Sequence, residues 1–334
     1  MNDRNHNIDI IKMLAIVSVV LLHSLPREVL FLSGAPYHIW QTVPIFIILA
    51  GYNAVNSYKR SNLDSLNQFY NFSFLYSKME RIIYPFLLVW LLQVVAQFVL
   101  LDGLSVKELF ISALSGGWGP GSYFIPIIIQ STLILPVLFL LCRKNLTIMI
   151  TLLFAISLIL DWVCLNINIP ESIYRLLVIR YLFALALGVW LALYSKKIHL
   201  KWLLPLAILS FVYIAGVNYF DWVFIMEKFW LSQHTPSYFW TLILVILVLK
   251  GYQFKAQNQL SKLSVKIGQA SYHIFLTQML YFWAIASRLP AMPIALYVSV
   301  SLVVCLALGF VFFYLDNWIR KEIKLRSSSR NLMT

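Results

Sequence analysis

Residues 8–24 read IDIIKMLAIVSVVLLHS. The stretch is apolar enough for a lipid bilayer, yet it carries Asp9, Lys12 and His23. It is long enough to cross a membrane as one helix, and Pro26-Arg27-Glu28 follows where a cleavable signal would need small residues. The rest of the chain reads the same way. Of its 334 residues, 61% are hydrophobic and only 12% charged, with a mean hydropathy of +0.80. The apolar runs are continuous rather than alternating, which selects helices over a barrel. The expected fold class is all-α: a polytopic membrane bundle of about ten spans, near 8–25, 39–57, 80–101, 121–141, 146–165, 174–194, 200–217, 236–250, 270–287 and 291–315. No internal repeat and no soluble domain is visible.

Charge sets the expected orientation. One set of loops holds Lys59, Arg60, Lys78, Arg143, Lys144, Lys196, Lys197, Lys201, Lys250, Lys255, Lys262 and Lys266, and the tail adds Arg320 and Lys321. The alternate loops hold few cations and collect Glu28, Glu108, Asp161 and Glu171. By the positive-inside rule both termini are cytoplasmic, with residues 319–334 as a basic tail. The net charge of +13 then reflects topology, lipid headgroups and an anionic substrate, not nucleic acid. On this topology the Asn71-Phe72-Ser73 acceptor pattern lies inside and is chance. Cys142, Cys164 and Cys305 have no metal-ligand spacing and read as packing residues. His6, His38, His199, His234 and His273 likewise have no partner at ligand spacing, so no metal site is expected. Asp161-Trp162 reads as a span edge.

Within the opening stretch, Asp9 and Lys12 form an i,i+3 pair able to neutralise each other. Lys12 and His23 are eleven positions apart, about three turns, so they share a helix face and stand roughly 16 Å apart along the axis. Each alone has a simple explanation: Lys12 snorkels to inner headgroups, and His23 sits in the outer interface. Together they fit a polar track that leads from the inner face to a histidine, the side chain best suited to general base work near neutral pH.

Asp-x-x-basic followed by His in a first span resembles the membrane acyltransferase-3 family, with Lys12 where the family usually has Arg. Further segments are similar in the same order. They are VPIFIILAGY (43–52), SKMERIIYPF (77–86), GSYFIP (121–126), RYLFALALGVWLA (180–192) and IGQASYHIFLTQ (267–278), which ends in Gln278 where the family often has His. The resemblance covers essentially the whole chain and places an acyltransferase-3-like transmembrane domain at 1–318. It implies transfer of an acyl group, commonly acetyl, from cytoplasmic acyl-CoA to a hydroxyl of a cell-surface glycan or its lipid-linked precursor. The setting it implies is the multi-pass plasma membrane of a bacterium.

On that resemblance, His23 is the candidate general base, with an acyl-histidine intermediate as the rival mechanism, and Lys12 orients the polar track or contacts the donor, with Asp9 holding it. Lys78 and Arg81, one turn apart, are candidates for the CoA phosphates; ordinary positive-inside anchoring also accounts for them. Arg180 is a candidate contact to the acceptor or the developing oxyanion, and a structural ion pair is the other reading. In SGGWGPGSYF (115–124), Trp118 and Tyr123 are candidates to stack on a sugar, and interfacial aromatic belts explain such residues too. Tyr272 and Gln278 read as cavity lining or as helix–helix hydrogen bonds. A glycan transporter or exporter is the reading from another class; the absence of inverted repeats argues against it.

Overall fold

The computed structural model describes residues 5–100, 103, 105–194, 200–222, 233–251 and 258–330. Lys196, Lys197, His199 and Lys255 therefore lie outside the described residues. The described chain is helical, with no strand. In order it forms α1 (His6–Ser24), α2 (Arg27–Leu32), α3 (Thr42–Arg60), α4 (Leu66–Phe69), α5 (Phe72–Leu100) and α6 (Val106–Leu114). Then come α7 (Phe124–Lys144), α8 (Leu146–Asn166), α9 (Glu171–Tyr174), α10 (Leu182–Tyr194) and α11 (Leu200–Tyr219). The last are α12 (Tyr238–Gly251), α13 (Gln259–Gln269), α14 (Ser271–Leu280) and α15 (Ile294–Arg330). Six of them, α1, α5, α7, α8, α11 and α15, are long and apolar enough to cross a membrane. Shorter apolar helical stretches cover Val178–Tyr194 and Thr235–Gly251.

Burial sorts the helices. Half of the apolar window of α1 is buried, against 17% for α8 and α15. So α1 runs through the interior, touching α3, α12, α13, α14 and α15. The poorly buried helices turn leucines, valines and phenylalanines outward, as on α5 at Leu91, Leu92, Val95 and Phe98. In water such a face would be a liability; in hydrocarbon it is the expected surface.

The most extensive pairing joins α3 to α10. Its cause is a glycine on each helix. A Cβ on Gly51 would lie 2.5 Å from the Leu185 carbonyl oxygen, and one on Gly188 would lie 2.1 Å from that of Ile48. Small residues let two backbones close to van der Waals distance where lipid offers no hydrophobic drive to pair helices. Two of the segments singled out in the sequence, 43–52 and 180–192, thus meet each other. A third, 267–278, meets α1, because a Cβ on Gly268 would collide with the Asp9 backbone.

The contacts define two ends. At one, Asn7 Nδ2 donates to the Leu249 carbonyl at 3.0 Å, and Lys59 Nζ donates to that of Ala192 at 2.9 Å. Tyr272 OH donates to the Ile82 carbonyl at 2.7 Å. This basic end gathers the C-termini of α3, α10, α12 and α15 with the N-termini of α1, α5 and α14. At the opposite end, Trp240 Nε1 donates to the Tyr37 carbonyl at 2.7 Å, Gln233 Nε2 to Trp40 at 3.0 Å and Gln278 Nε2 to Pro120 at 3.2 Å.

Two helices overrun the apolar runs. α5 starts at Phe72, not near 80, and α15 continues to Arg330, not 315. Hydropathy stops at the first charges, but backbone hydrogen bonding continues past them. Arg320, read as part of the basic tail, is tied down: Nε donates to both Asp316 oxygens at 2.9 and 3.0 Å, and Nη1 to Glu80 Oε1 at 3.2 Å.

Candidate active site

The face of α1 begins in the packed basic end. Asn5 caps the helix through its side chain, and Asp9 is buried under Gly268. Lys12, one turn on, is half-buried, and both it and Asp9 are engaged by partners. His23 lies in the last turn, at the opposite end, also half-buried. Its ring meets Phe282 edge-on, centroids 5.7 Å apart at 61°, and makes no hydrogen bond to the described residues. Phe282 belongs to a π-helical turn, Tyr281–Ile285, that continues α14. Such widened turns are rare and cluster at functional sites.

The other buried histidines differ. His273 Nε2 stands 2.9 Å from Asp316 Oδ2, and His234 Nδ1 lies 3.8 Å from Asp161 Oδ2. A partner 43 residues away in sequence has no spacing signature, so the sequence left His273 looking solitary.

At the basic end, Lys78 Nζ donates to Ser57 Oγ at 2.7 Å and sits 5.1 Å from the Phe74 ring centroid. Arg60 and Arg81 lie within electrostatic reach of it, and Arg81 is exposed. The fold therefore brings Lys78 and Arg81 together and adds Arg60 from α3.

Arg180 is fully buried in a 3₁₀ turn, Val178–Tyr181, that leads into α10. Nη2 donates to Gln233 Oε1 at 3.0 Å; Tyr181 OH donates to the same oxygen at 2.7 Å. The guanidinium lies 4.8 Å from the Tyr181 ring centroid and 5.9 Å from that of Tyr174. Tyr238 OH closes the cluster on the Arg180 and Gln233 carbonyls. Tyr123 is buried here too, hydrogen-bonded to Tyr181. Nearby, Asp161, close to the end of the apolar stretch Leu146–Cys164 of α8, is buried, accepting from Tyr174 OH at 2.7 Å and from Thr235 Oγ1 at 3.1 Å. Its donors come from the short helix α9 and from the turn before α12, 13 and 74 residues away in sequence, so hydropathy could not pair them with it.

Trp118 stands apart from Tyr123 and Arg180. Its N–H donates to Gln93 Oε1 at 3.1 Å and its carbonyl accepts from Gln93 Nε2 at 2.7 Å. Its indole stacks on Trp283, centroids 5.7 Å apart. Gly117 and Gly119, both at positive φ, make this fold of the loop possible: a Cβ on them would lie 2.4 Å from Gln93 Oε1 and 2.5 Å from the Met279 carbonyl oxygen. Of the candidate residues, then, Lys78 pairs with Arg81 and Arg180 with Tyr123, while His23 and Trp118 meet neighbouring residues of one π turn. Tyr272 and Gln278 serve helix and loop hydrogen bonds. Among the described residues, no group of three or more His, Cys, Asp or Glu side chains could hold a metal ion.

Comparison with known proteins places this arrangement. No match was found among curated proteins or among solved structures. Residues 5–314 match the acyltransferase-3 family, described as an acyltransferase domain. That match runs from the cap of α1 into the last long helix and takes in every candidate residue named above. The chain belongs to the acyltransferase-3 family, and with its apolar helices it is a multi-pass membrane acyltransferase.

Proposed function

We propose that the protein is an O-acyltransferase of the plasma membrane, taking an acetyl group from cytoplasmic acetyl-CoA and placing it on a hydroxyl of an extracytoplasmic glycan or its lipid-linked precursor. On this reading ten helices, α1, α3, α5, α7, α8, α10, α11, α12, α14 and α15, serve as membrane crossings that alternate between the two ends. Both termini then lie at the basic end, which is cytoplasmic by the positive-inside rule. The observation that carries the reading is His23: an imidazole at the end of a central helix, free of hydrogen bonds to the described residues, inside an acyltransferase-3 chain.

In the reaction, CoA phosphates dock on Lys78 and Arg81 at the cytoplasmic mouth, and the acyl arm extends along the face of α1 past Asp9 and Lys12. His23 takes the proton of the acceptor hydroxyl as the hydroxyl oxygen adds to the thioester carbonyl. The C–S bond then breaks, the acyl group stays on the acceptor oxygen, and the imidazolium returns its proton to the CoA sulfur. Trp118 forms part of the acceptor wall. Arg180 and Tyr123, packed in a separate buried cluster at the same end, supply positive potential there.

The test is CoA release from labelled acetyl-CoA by the protein in nanodiscs, with a panel of surface sugars as acceptors. The wild type releases CoA and acetylates an acceptor. His23→Ala lowers turnover by about 10²–10⁴-fold, the scale of a lost general base, with Tm and CoA affinity unchanged. Undiminished turnover would remove His23 from the chemistry. Absence of CoA binding by the folded wild type would favour glycan transport instead.

A further inference from the structure

Beside Trp118 lies a cavity of about 290 Å³ at the end of the bundle opposite the basic one. It is open on one side, and its lining includes Glu108, Ser112, Ser115, Trp118, Ser122 and Arg175. The size is at the lower end of the roughly 300–1,000 Å³ typical of small-molecule sites, suited to a short saccharide end.

Its walls are built rather than incidental. Glu108 is the N3 residue of a capping box on α6: Ser105 N and Oγ donate to its Oε2 at 2.9 and 2.7 Å. Those bonds, the hydroxyl's first and the backbone's second, hold the Glu108 carboxyl below its usual range, so it is ionised at neutral pH. Ser112 Oγ accepts from Trp90 Nε1 at 3.1 Å and is buried. Arg175 is carried by the segment after α9, which Gln130 anchors from α7. Its Nε2 donates to the Leu176 carbonyl at 2.7 Å, and its Oε1 accepts from Val178 N at 3.1 Å. Arg175 Nε is buried and has no hydrogen-bond partner among the described residues. A buried, unanswered guanidinium donor is costly unless a ligand or water answers it.

We infer that this cavity is a binding site for a neutral sugar ring, with Arg175 and Glu108 as its polar jaws and Trp118 as its apolar wall. The chemistry of the lining makes the selection. A carboxylate accepts from sugar hydroxyls, a guanidinium donates to sugar oxygens, and an indole packs against ring C–H bonds. One negative and one positive side chain leave the lining without net charge, so a phosphate or uronate gains at Arg175 what it loses at Glu108. The place is also apt. Trp118 stacks on Trp283, and the preceding residue, Phe282, faces His23. Reading the cavity as the acceptor's seat rests on the acyl-transfer reading above; sugar binding itself does not.

The test is saturation-transfer NMR on the full chain in nanodiscs free of sugar-headed detergent. The probes are methyl glycosides of glucose, galactose, rhamnose and N-acetylglucosamine, with glucuronate and glucose 6-phosphate as charged counterparts. At least one neutral glycoside binds the wild type, and Arg175→Gln and Glu108→Gln each weaken it by about tenfold, as expected for a lost charge-assisted hydrogen bond. Glu108→Gln keeps the capping box, so it carries the test if Arg175→Gln does not fold. The inference is overturned if no glycoside binds, if only the charged sugars bind, or if both Gln variants fold and bind undiminished. A wild type that binds glycosides but never releases CoA rejects acyl transfer and leaves the sugar site standing.

Discussion

Arg180 and His23 lie at the same end of the bundle in opposite circumstances. Arg180 is fully buried, and Gln233, Tyr181, Tyr174 and Tyr238 surround its charge and backbone with hydroxyls, an amide and ring faces. His23 is half-buried, touches one phenylalanine edge-on, and offers its ring nitrogens to no described residue. A polar group bonded and stacked inside the protein, as Arg180 is through Nη2 and two tyrosine rings, holds helices and loops together. One whose capacity is unspent is available to a substrate. Both cost free energy to place in a membrane; Arg180 recovers it in the folded state, and on the proposed mechanism His23 recovers it in the reaction.

Three experiments press on that contrast, in descending order of expected effect. Arg180→Met should destabilise the end of the bundle it ties together by about 1–3 kcal/mol, the scale of leaving a buried hydrogen-bond partner unpaired; thermal unfolding in nanodiscs reads it. A full-height Tm would mean that the cluster is not structural. Lys78→Ala with Arg81→Ala should leave folding intact and weaken CoA binding by about 10–100-fold, as charge-assisted hydrogen bonds of ~1.5–3 kcal/mol require. Equal affinity by calorimetry would reduce the pair to topological anchors. The smallest effect concerns pH at the Trp118 cavity, where Glu108 and Arg175 carry the lining charges. The Glu108 carboxyl titrates below its ordinary range, so its contribution is present above that range and lost only as pH falls through the lower value. Glycoside binding should hold level from pH 8 down to about 4.3, the ordinary glutamate value, and weaken below it. A loss beginning at higher pH would show that Glu108 is not held by Ser105 in solution.

What the sequence made legible follows the same division. Apolar runs marked the helices, because lipid imposes a length and a composition on each. The segments 43–52, 180–192 and 267–278, singled out for their resemblance, carry Gly51, Gly188 and Gly268, each of which the structure places in a close backbone approach. The i,i+3 spacing of Lys78 and Arg81 survived because it is local. What escaped was assembled across sequence: Asp316 for His273, Glu80 for Arg320, Tyr174 and Thr235 for Asp161. The short helices α4, α6 and α13 escaped as well, since a search for spans passes over amphipathic elements too short to cross. With α6 went Glu108, and with the segment after α9 went Arg175. The cavity they share with Trp118 exists only once three separated segments meet.

The central claim is that the His23 position opens onto a watery passage reachable by acyl-CoA from the basic end. The most direct measurement is thiol labelling of His23→Cys in sealed vesicles by a small, charged methanethiosulfonate, with the native thiols Cys142, Cys164 and Cys305 buried in the fold. The account predicts rapid labelling that acetyl-CoA, supplied at the basic end, slows. A thiol that stays unreactive in the folded protein, with or without the donor, would put the position against hydrocarbon and contradict the account.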